Sequence, residues 1–433
     1  MIATLIIAIT TFVLITLSIL FFPHIRIGKF RLDTYWMIAT LGAIILLASS
    51  LAPIGEVFNQ LTSSNEVNPL KIIVLFFSMT FLSIFLDETG LFRFLAKLAT
   101  KEAKNSQIML FFIFYFLTSI LTVFTSNDIV ILTLTPFICF FCKNTKINPL
   151  PYLIAEFAAA NTWSMMFIIG NPTNIYLATS ANIDFVSYFK VMALPTIAAG
   201  IVELSIIFLF FRKQLLSPLE IVEDDFHIES KFDLWVGIVH LSVCLVFLII
   251  SSYINIEMWI VSLSCAGSLM IFNIITRIVT KKNWLYVTES LRRLPYQLIP
   301  FFLSMFIIVV ALNTQGISNE IAGFLYHEPL VFVYGTASYV SANIINNIPM
   351  SILFANLMNG LEGAQYIQAV YATIVGSNIG AFLTPLGALA GIMFSALLMK
   401  HEVKFSFVGF VKYGVIISIP TIATALLVLY FLV

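Results

Sequence analysis

Charge is what this chain has least of. Asp, Glu, Lys and Arg make up 10% of it, against roughly a quarter in a soluble protein. With 60% hydrophobic residues there is too little polar surface for water to wet, so a polytopic membrane protein is expected. The formal net charge is zero, which removes the electrostatic footprint of nucleic-acid binding. No second, soluble domain is visible. The longest polar insert, residues 212–233, has the length of a loop or linker. Residues 1–22 lack a basic leader and a small-x-small cleavage site, and they read as a first span rather than a signal peptide. The four cysteines, Cys139, Cys142, Cys244 and Cys265, lie in apolar runs. "CFFC" lacks both a βαβ context and a second ligand pair, so packing is its expected role. There is no Gly-x-Ser-x-Gly, ATP-binding loop or metal-ligand cluster, so the chain is read as a non-enzyme that needs no cofactor.

Long apolar runs are what the chain does have. Candidate spans lie at 2–22, 35–54, 69–86, 107–124, 129–142, 151–169, 191–211, 234–253, 256–276, 298–312, 329–340, 350–358, 365–376, 389–399 and 410–433. A helix needs about 20 apolar residues to cross alone, and several runs fall short. The short ones flank four polar islands: "FTSNDIVI" (124–131), "GNPTN" (170–174), "NIINNIP" (343–349) and "GSNIGAFLTPLG" (376–387). Interrupted apolar segments at matching places in two halves point to the binding site of a transporter.

Basic residues orient the loops. Arg26, Lys29 and Arg31 put the first loop inside, and the acidic "EVFNQLTSSNEV" goes outside. Arg93, Lys97, Lys101 and Lys104 are inside again, as are Lys143 and Lys146. Residues 107–142 therefore enter and leave on one face, as a re-entrant hairpin. Residues 151–178 cross outward and break at "GNPTN"; 191–211 return to Arg212 and Lys213. In the second half, Arg277, Lys281, Lys282, Arg292 and Arg293 mark the inside. Residues 329–358 form a hairpin open to the outside, and 365–399 cross inward with a break. The expected plan is repeat 1 (1–213), a cytoplasmic linker (214–233) and repeat 2 (234–433), in opposite orientations. Three string pairs support duplication: "FLDETGL" with "ALNTQGI", "SNDIVILTLTPF" with "INNIPMSILFAN", and "FVSYFKVMALPTIA" with "FVGFVKYGVIISIPTIA".

Unpaired backbone groups cost several kcal/mol in hydrocarbon, so broken helices survive only inside protein or against water. Two hairpin tips and two breaks imply one enclosed polar site, where half-helix N-termini favour an anion or a polyhydroxy solute. The candidate substrate-binding residues are Ser126, Asn127, Asn161, Thr162, Asn171, Thr173, Asn174, Asn346, Asn347, Ser377, Asn378 and Thr384. Each could equally be a helix cap. Asp128 fits a proton or cation site, with a structural cap as the other reading, since a charge at bilayer depth costs about 2.5–3.5 kcal/mol. Its counterpart in the second half is Asn347. Glu156 is either a second proton carrier or an interfacial group near Pro151. Asp87 and Glu88 fall at a span end, where solvation or capping is expected. Trp163 reads as packing beside the break, with pathway lining as the alternative. "LFRFLAKLATKEAK" reads as an amphipathic helix on the inner leaflet.

The strings "FLDETGLF", "SNDIVILTLTP", "AAANTWSMMFIIGNPTNI", "SANIINNIPMSIL" and "GSNIGAFLTPLGALAGIMF" resemble, in order, the ArsB/NhaD ion transporter superfamily. The likeness is closest to its arsenite/antimonite efflux permeases and covers nearly the whole chain. It implies an all-α polytopic fold of two inverted repeats, each with a re-entrant hairpin and a broken transmembrane helix, working as an elevator. It further implies proton-coupled efflux from the inner (plasma) membrane of a bacterium, with a small inorganic solute or ion and the lipid bilayer as partners. A homodimer and a separate ATPase subunit stay open as further partners. The alternative function in the same fold is a sodium/proton antiporter, or a sodium- or proton-coupled carrier of a small organic anion.

Overall fold

In the computed structural model, residues 1–22, 24–27, 30–62, 68–219, 227–254, 256–280 and 285–433 are described. Lys29, Lys281, Lys282, part of the acidic loop (63–67) and the middle of the linker (220–226) lie outside them. In chain order the helices are α1 (Ile2–Phe21), α2 (Thr34–Ala48), α3 (Ile54–Thr62), α4 (Pro69–Glu88), α5 (Leu91–Glu102), α6 (Gln107–Phe124) and α7 (Asn127–Thr145). There follow α8 (Leu150–Trp163), α9 (Pro172–Ser180), α10 (Phe185–Leu215), α11 (Lys231–Ile254), α12 (Met258–Thr280), α13 (Leu285–Arg293) and α14 (Leu298–Thr314). The chain ends with α15 (Ile317–Leu325), α16 (Leu330–Ile345), α17 (Asn347–Leu357), α18 (Gly363–Gly380), α19 (Leu389–Lys400) and α20 (Phe407–Tyr430).

Among the described residues nine helical stretches are long and apolar enough to span, and this is an all-α polytopic membrane protein. α7 carries Pro136 in its interior yet stays one helix. Among the described residues there is one two-stranded sheet, an antiparallel hairpin of β1 (His24–Ile27) and β2 (Phe30–Asp33), with Ile27 opposite Phe30. The sequence reading weighed this loop for its charge and missed its strand alternation. In α5 the buried side is Phe92, Ala96 and Thr100, while Phe94 and Leu98 remain exposed. Leu91 and Leu95 are half-buried, so the fully exposed apolar side is narrow.

Hydrogen bonds between chain ends fix the inverted arrangement. At one face, Gln107 Nε2 donates to the Ser217 carbonyl at 3.1 Å and Asn148 Nδ2 to Gln214 Oε1 at 2.8 Å. Lys143 meets Glu402 there at 3.1 Å. The start of α6 and the ends of α7, α10 and α19 therefore share that face. At the other, Tyr366 Oη donates to the Ser180 carbonyl at 3.2 Å, Gln365 Nε2 to Glu328 Oε1 at 3.1 Å and Gln368 Nε2 to the Val433 carbonyl at 3.1 Å. Tyr326 Oη reaches the Leu357 carbonyl at 3.2 Å. The start of α16 and the end of α17 are thus at the opposite face, so the α6–α7 and α16–α17 hairpins open in opposite directions. α10, at 31 residues, is about 46 Å long. It runs antiparallel to α20, with Phe211 stacked on Tyr413 at 5.5 Å.

The heaviest packing is within α6–α10 and α16–α20, within α1, α2 and α14, and within α4, α11 and α12; α14 meets α17 and α1 meets α16. The tightest approach is between α16 and α18, where a Cβ on Gly376 would stand 2.2 Å from the Gly335 carbonyl oxygen. Only glycine lets those backbones meet. α11 and α12 carry exposed apolar side chains such as Val239, Phe247, Leu263 and Ile271, which lipid covers.

Candidate functional site

Each hairpin turns at a polar residue that its own sequence forces out of the helix. Thr125 leaves the helical region at φ −126°, ψ −116°, and Ser126 follows in extended conformation before α7 restarts at Asn127. Asn346 sits at φ +71°, ψ 152°, a backbone conformation that residues other than glycine rarely adopt. Its side-chain oxygen accepts from the Ile348 N–H, so it starts α17 as a cap. In the crossing segments, α8 ends at Trp163, a 3-10 turn covers Ile168–Gly170, and α9 restarts behind Asn171. Its partner α18 stops at Gly380 and α19 begins at Leu389.

The breaks are tied to one another through side chains. Asn378, on α18, is bonded at both ends of its amide. Its Nδ2 donates to Asn174 Oδ1 at 2.6 Å and to the Ile374 carbonyl at 2.8 Å. Its Oδ1 accepts from Asn171 Nδ2 at 3.0 Å and lies 2.8 Å from Ser164 Oγ. Ser377 Oγ donates to Thr173 Oγ1 at 3.0 Å, and Asn171 Oδ1 caps α9 through the Thr173 N–H at 3.1 Å. All six are fully or almost fully buried. Five of the candidates, Asn171, Thr173, Asn174, Ser377 and Asn378, thus hold the two broken helices together.

The hairpin tips lean on this knot in different ways. Asn127 Nδ2 donates to Asn161 Oδ1 at 3.2 Å, and Asn161 in turn bonds the Phe157 carbonyl. On the other side, the Asn347 N–H donates to the Gly387 carbonyl at 3.0 Å and Asn346 Nδ2 to that of Leu386 at 3.1 Å. Thr384 is held by Asn343 Oδ1 through both its N–H (3.1 Å) and its hydroxyl (2.8 Å). Asn343 stood in a polar island but outside the candidate set; it ties α16 to the second break. Among the described residues, each tip keeps one buried polar atom without a partner, Ser126 Oγ and Asn347 Oδ1, two of twelve such atoms. Such atoms are rare in native interiors and call for an explanation.

The carboxylates are spread around this centre. Asp128 is half-buried in the first turn of α7, where the helix dipole favours a negative charge. Glu156 is fully buried, and Thr135 Oγ1 lies 2.9 and 3.1 Å from its two oxygens, across the α7–α8 contact. Asp87 and Glu88 are ion-paired rather than solvated or capping: Arg293 Nη1 lies 2.6 and 2.5 Å from their oxygens. Trp163 lies against Gly200 and donates through Nε1 to Tyr115 Oη at 3.1 Å.

Thr162 turns away from the knot. Its hydroxyl donates to Glu203, a fully buried acid on α10 that the sequence reading passed over. The signal was present: one carboxylate inside a 31-residue apolar helix satisfies the same depth-cost rule applied to Asp128. A cavity of about 310 Å³ is lined by Lys71, Thr179, Asp184, Glu257 and Trp259 among others, on the face where α9 ends. A Lys71–Glu257 pair at 2.6 Å stands in its lining.

Opposed hairpins, broken helices and a buried polar centre define a secondary transporter of small ions or solutes, not an enzyme. The family model described as citrate transporter (CitMHS) matches residues 33–375, and the chain belongs to that family. It is also similar to the arsenical pump membrane protein of Escherichia coli (strain K12), 25% identical over 415 residues, covering 90% of this chain and 91% of that one. Similarity to the arsenical pump membrane protein of Yersinia enterocolitica is 23% over 376 residues, 81% of this chain and 84% of that one. Among solved structures, the Alcanivorax borkumensis YdaH transporter matches in fold with a TM-score of 0.53 at 14% identity, covering 100% of this chain and 96% of that one. With multiple spans and bacterial relatives, this is a bacterial inner-membrane protein.

Proposed function

We propose that the chain exports arsenite or antimonite by alternating access, coupled to protons. The observation that carries this reading is the pair of unpartnered buried atoms, Ser126 Oγ and Asn347 Oδ1, one at each hairpin tip. A small neutral solute bearing several hydroxyls supplies donors and acceptors to both. The surrounding candidates are Asn, Ser and Thr, all uncharged, and no buried counter-charge is needed for such a passenger. Asp128 and Glu156 are the groups proposed to carry the coupling proton. The arsenical pump proteins of E. coli and Y. enterocolitica align over most of this chain, which supports the same solute.

The second reading is a carrier of a small organic anion, favoured by the family's description. It fits the site chemistry less well, since the candidate set offers no Lys or Arg and contains Asp128. Inside-out vesicles given arsenite or antimonite, with and without a pH gradient, test the proposal. Accumulation that collapses with the gradient is expected. Vesicles that accumulate citrate but no metalloid would replace the first reading with the second.

A further inference from the structure

Behind the first break lies a ring of hydrogen bonds whose protons can be counted. Tyr115 Oη, on α6, is 2.7 Å from the Gly200 carbonyl oxygen and 3.0 Å from Glu203 Oε1. Trp163 Nε1 donates to the same phenol oxygen at 3.1 Å. Thr162 Oγ1 donates to Glu203 Oε2. Three oxygen–oxygen contacts each need a proton, but Tyr115 and Thr162 bring one each. The shorter contact, to Gly200, takes the phenol proton, and the Thr162 proton lies on its own bond. The contact between Tyr115 Oη and Glu203 Oε1 is then left with two acceptors facing each other. A proton on Oε1, donated to the phenol oxygen, completes the ring. The phenol then gives one bond and receives two, which is its full capacity.

We propose that Glu203 is a proton-binding site of the transport cycle, loaded in the conformation seen here through its ring with Tyr115 and Thr162. The coupling part of this rests on the transporter reading above; the proton itself does not. The elements packed on α10 are α6, α8, the 168–170 turn, α11 and α20. From α6 the facing group is Tyr115, and from α8 it is Thr162, with Trp163 behind the phenol. Among the described residues, no charged side chain from the other elements acts on the carboxyl. A carboxylate without a cation is costly to bury, whereas the acid is not. Loss of the proton removes one bond of the ring and leaves an unpaired charge. The ring pins the last two residues of α8, directly before Ser164 and the knot at Asn378. Proton binding at Glu203 therefore sets how firmly the first break is held to α10, and a proton leaving it frees that break to rearrange.

Glu203→Gln is the decisive variant, because its amide donates to Tyr115 and accepts from Thr162 in the shape of the neutral acid. The full chain in detergent or liposomes should keep its wild-type Tm. The infrared spectrum of wild type minus E203Q at neutral pH should show the carbonyl band of a protonated carboxylic acid. Superimposable spectra in that region would mean an ionised Glu203 and overturn the proposal. Tyr115→Phe removes the acceptor of the proton and should shift the same band; an unshifted band would overturn the ring. In proteoliposomes, E203Q should lose the pH-gradient dependence of arsenite uptake, and wild-type dependence would overturn the coupling role. If the wild-type protein moves no metalloid at all, the solute assignment fails while the infrared result still decides the proton.

Discussion

The two hairpin tips occupy matching places and are built on different principles. In the second, Asn346 and Asn347 bond to backbone carbonyls of Leu386 and Gly387. In the first, an amide pair, Asn127 to Asn161, links the tip to the broken helix, and the next residue is an acid. The same contrast runs through the halves. Asp128, Glu156 and Glu203 all belong to the first, whereas the second places Asn347 opposite Asp128 and gives Asn378 four hydrogen-bond contacts. Backbone bonds and an amide bonded at both ends make a firm anchor. The side-chain links to the buried carboxyls, Thr135 to Glu156 and Thr162 to Glu203, depend instead on whether those groups carry a proton. Symmetry of fold thus coexists with unequal chemistry: Asp128, Glu156 and Glu203 lie in the first half, while the second tip is held by backbone carbonyls.

The largest effect expected is at the anchor. Asn378→Leu leaves Asn171 Nδ2 and Asn174 Oδ1 buried without these partners, at about 1–3 kcal/mol each. Loss of transport and a sharp drop in Tm should follow, read by a melt of the detergent-solubilised protein. Asn161→Leu removes one interhelical bond and should cost clearly less; equal losses would refute the contrast. Next comes Asp128→Asn, which makes the first tip resemble the second. Arsenite accumulation driven by a pH gradient should disappear with Tm kept, and a variant that still concentrates the solute would take Asp128 out of the coupling. Third is Gly376→Ala. Its Cβ meets backbone that cannot yield, and overpacking of this kind costs about 1–3 kcal/mol. A Tm at wild-type level would show that the α16–α18 contact is looser than drawn.

Polar triplets inside apolar runs made the hairpins legible, because only a break or a site explains "SND" or "NN" at that depth. Opposite orientation was legible from Lys and Arg, since loop charge acts locally along the chain. What escaped shares a different cause. Arg293 lies 205 residues from Glu88, and nothing near "FLDETGL" announces such a partner. Asn171, Asn174 and Asn378 could be picked as polar, but not as a knot, because that depends on two helices crossing. Glu203 escaped for a simpler reason: it stands alone in an apolar run, with no polar island beside it. The strand pair near residue 27 was hidden by its charges.

The smallest effect separates holding from carrying. Ser126 Oγ has no partner in this conformation, so Ser126→Ala removes no bond from the resting protein and relieves one unsatisfied group. Tm should stay level or rise slightly. The passenger, by contrast, loses a hydrogen bond of about 0.5–1.5 kcal/mol. By the rule of tenfold per 1.4 kcal/mol, the KM for arsenite should rise by roughly 2- to 12-fold, with the maximal rate little changed. Asn347→Leu at the other tip tests the same atom class but also alters the start of α17, so its Tm must be read first. A Ser126→Ala protein with lowered Tm and unchanged KM would make the hydroxyl a structural group. The first tip would then be an anchor like the second, and the contrast between the halves would rest on the carboxylates alone.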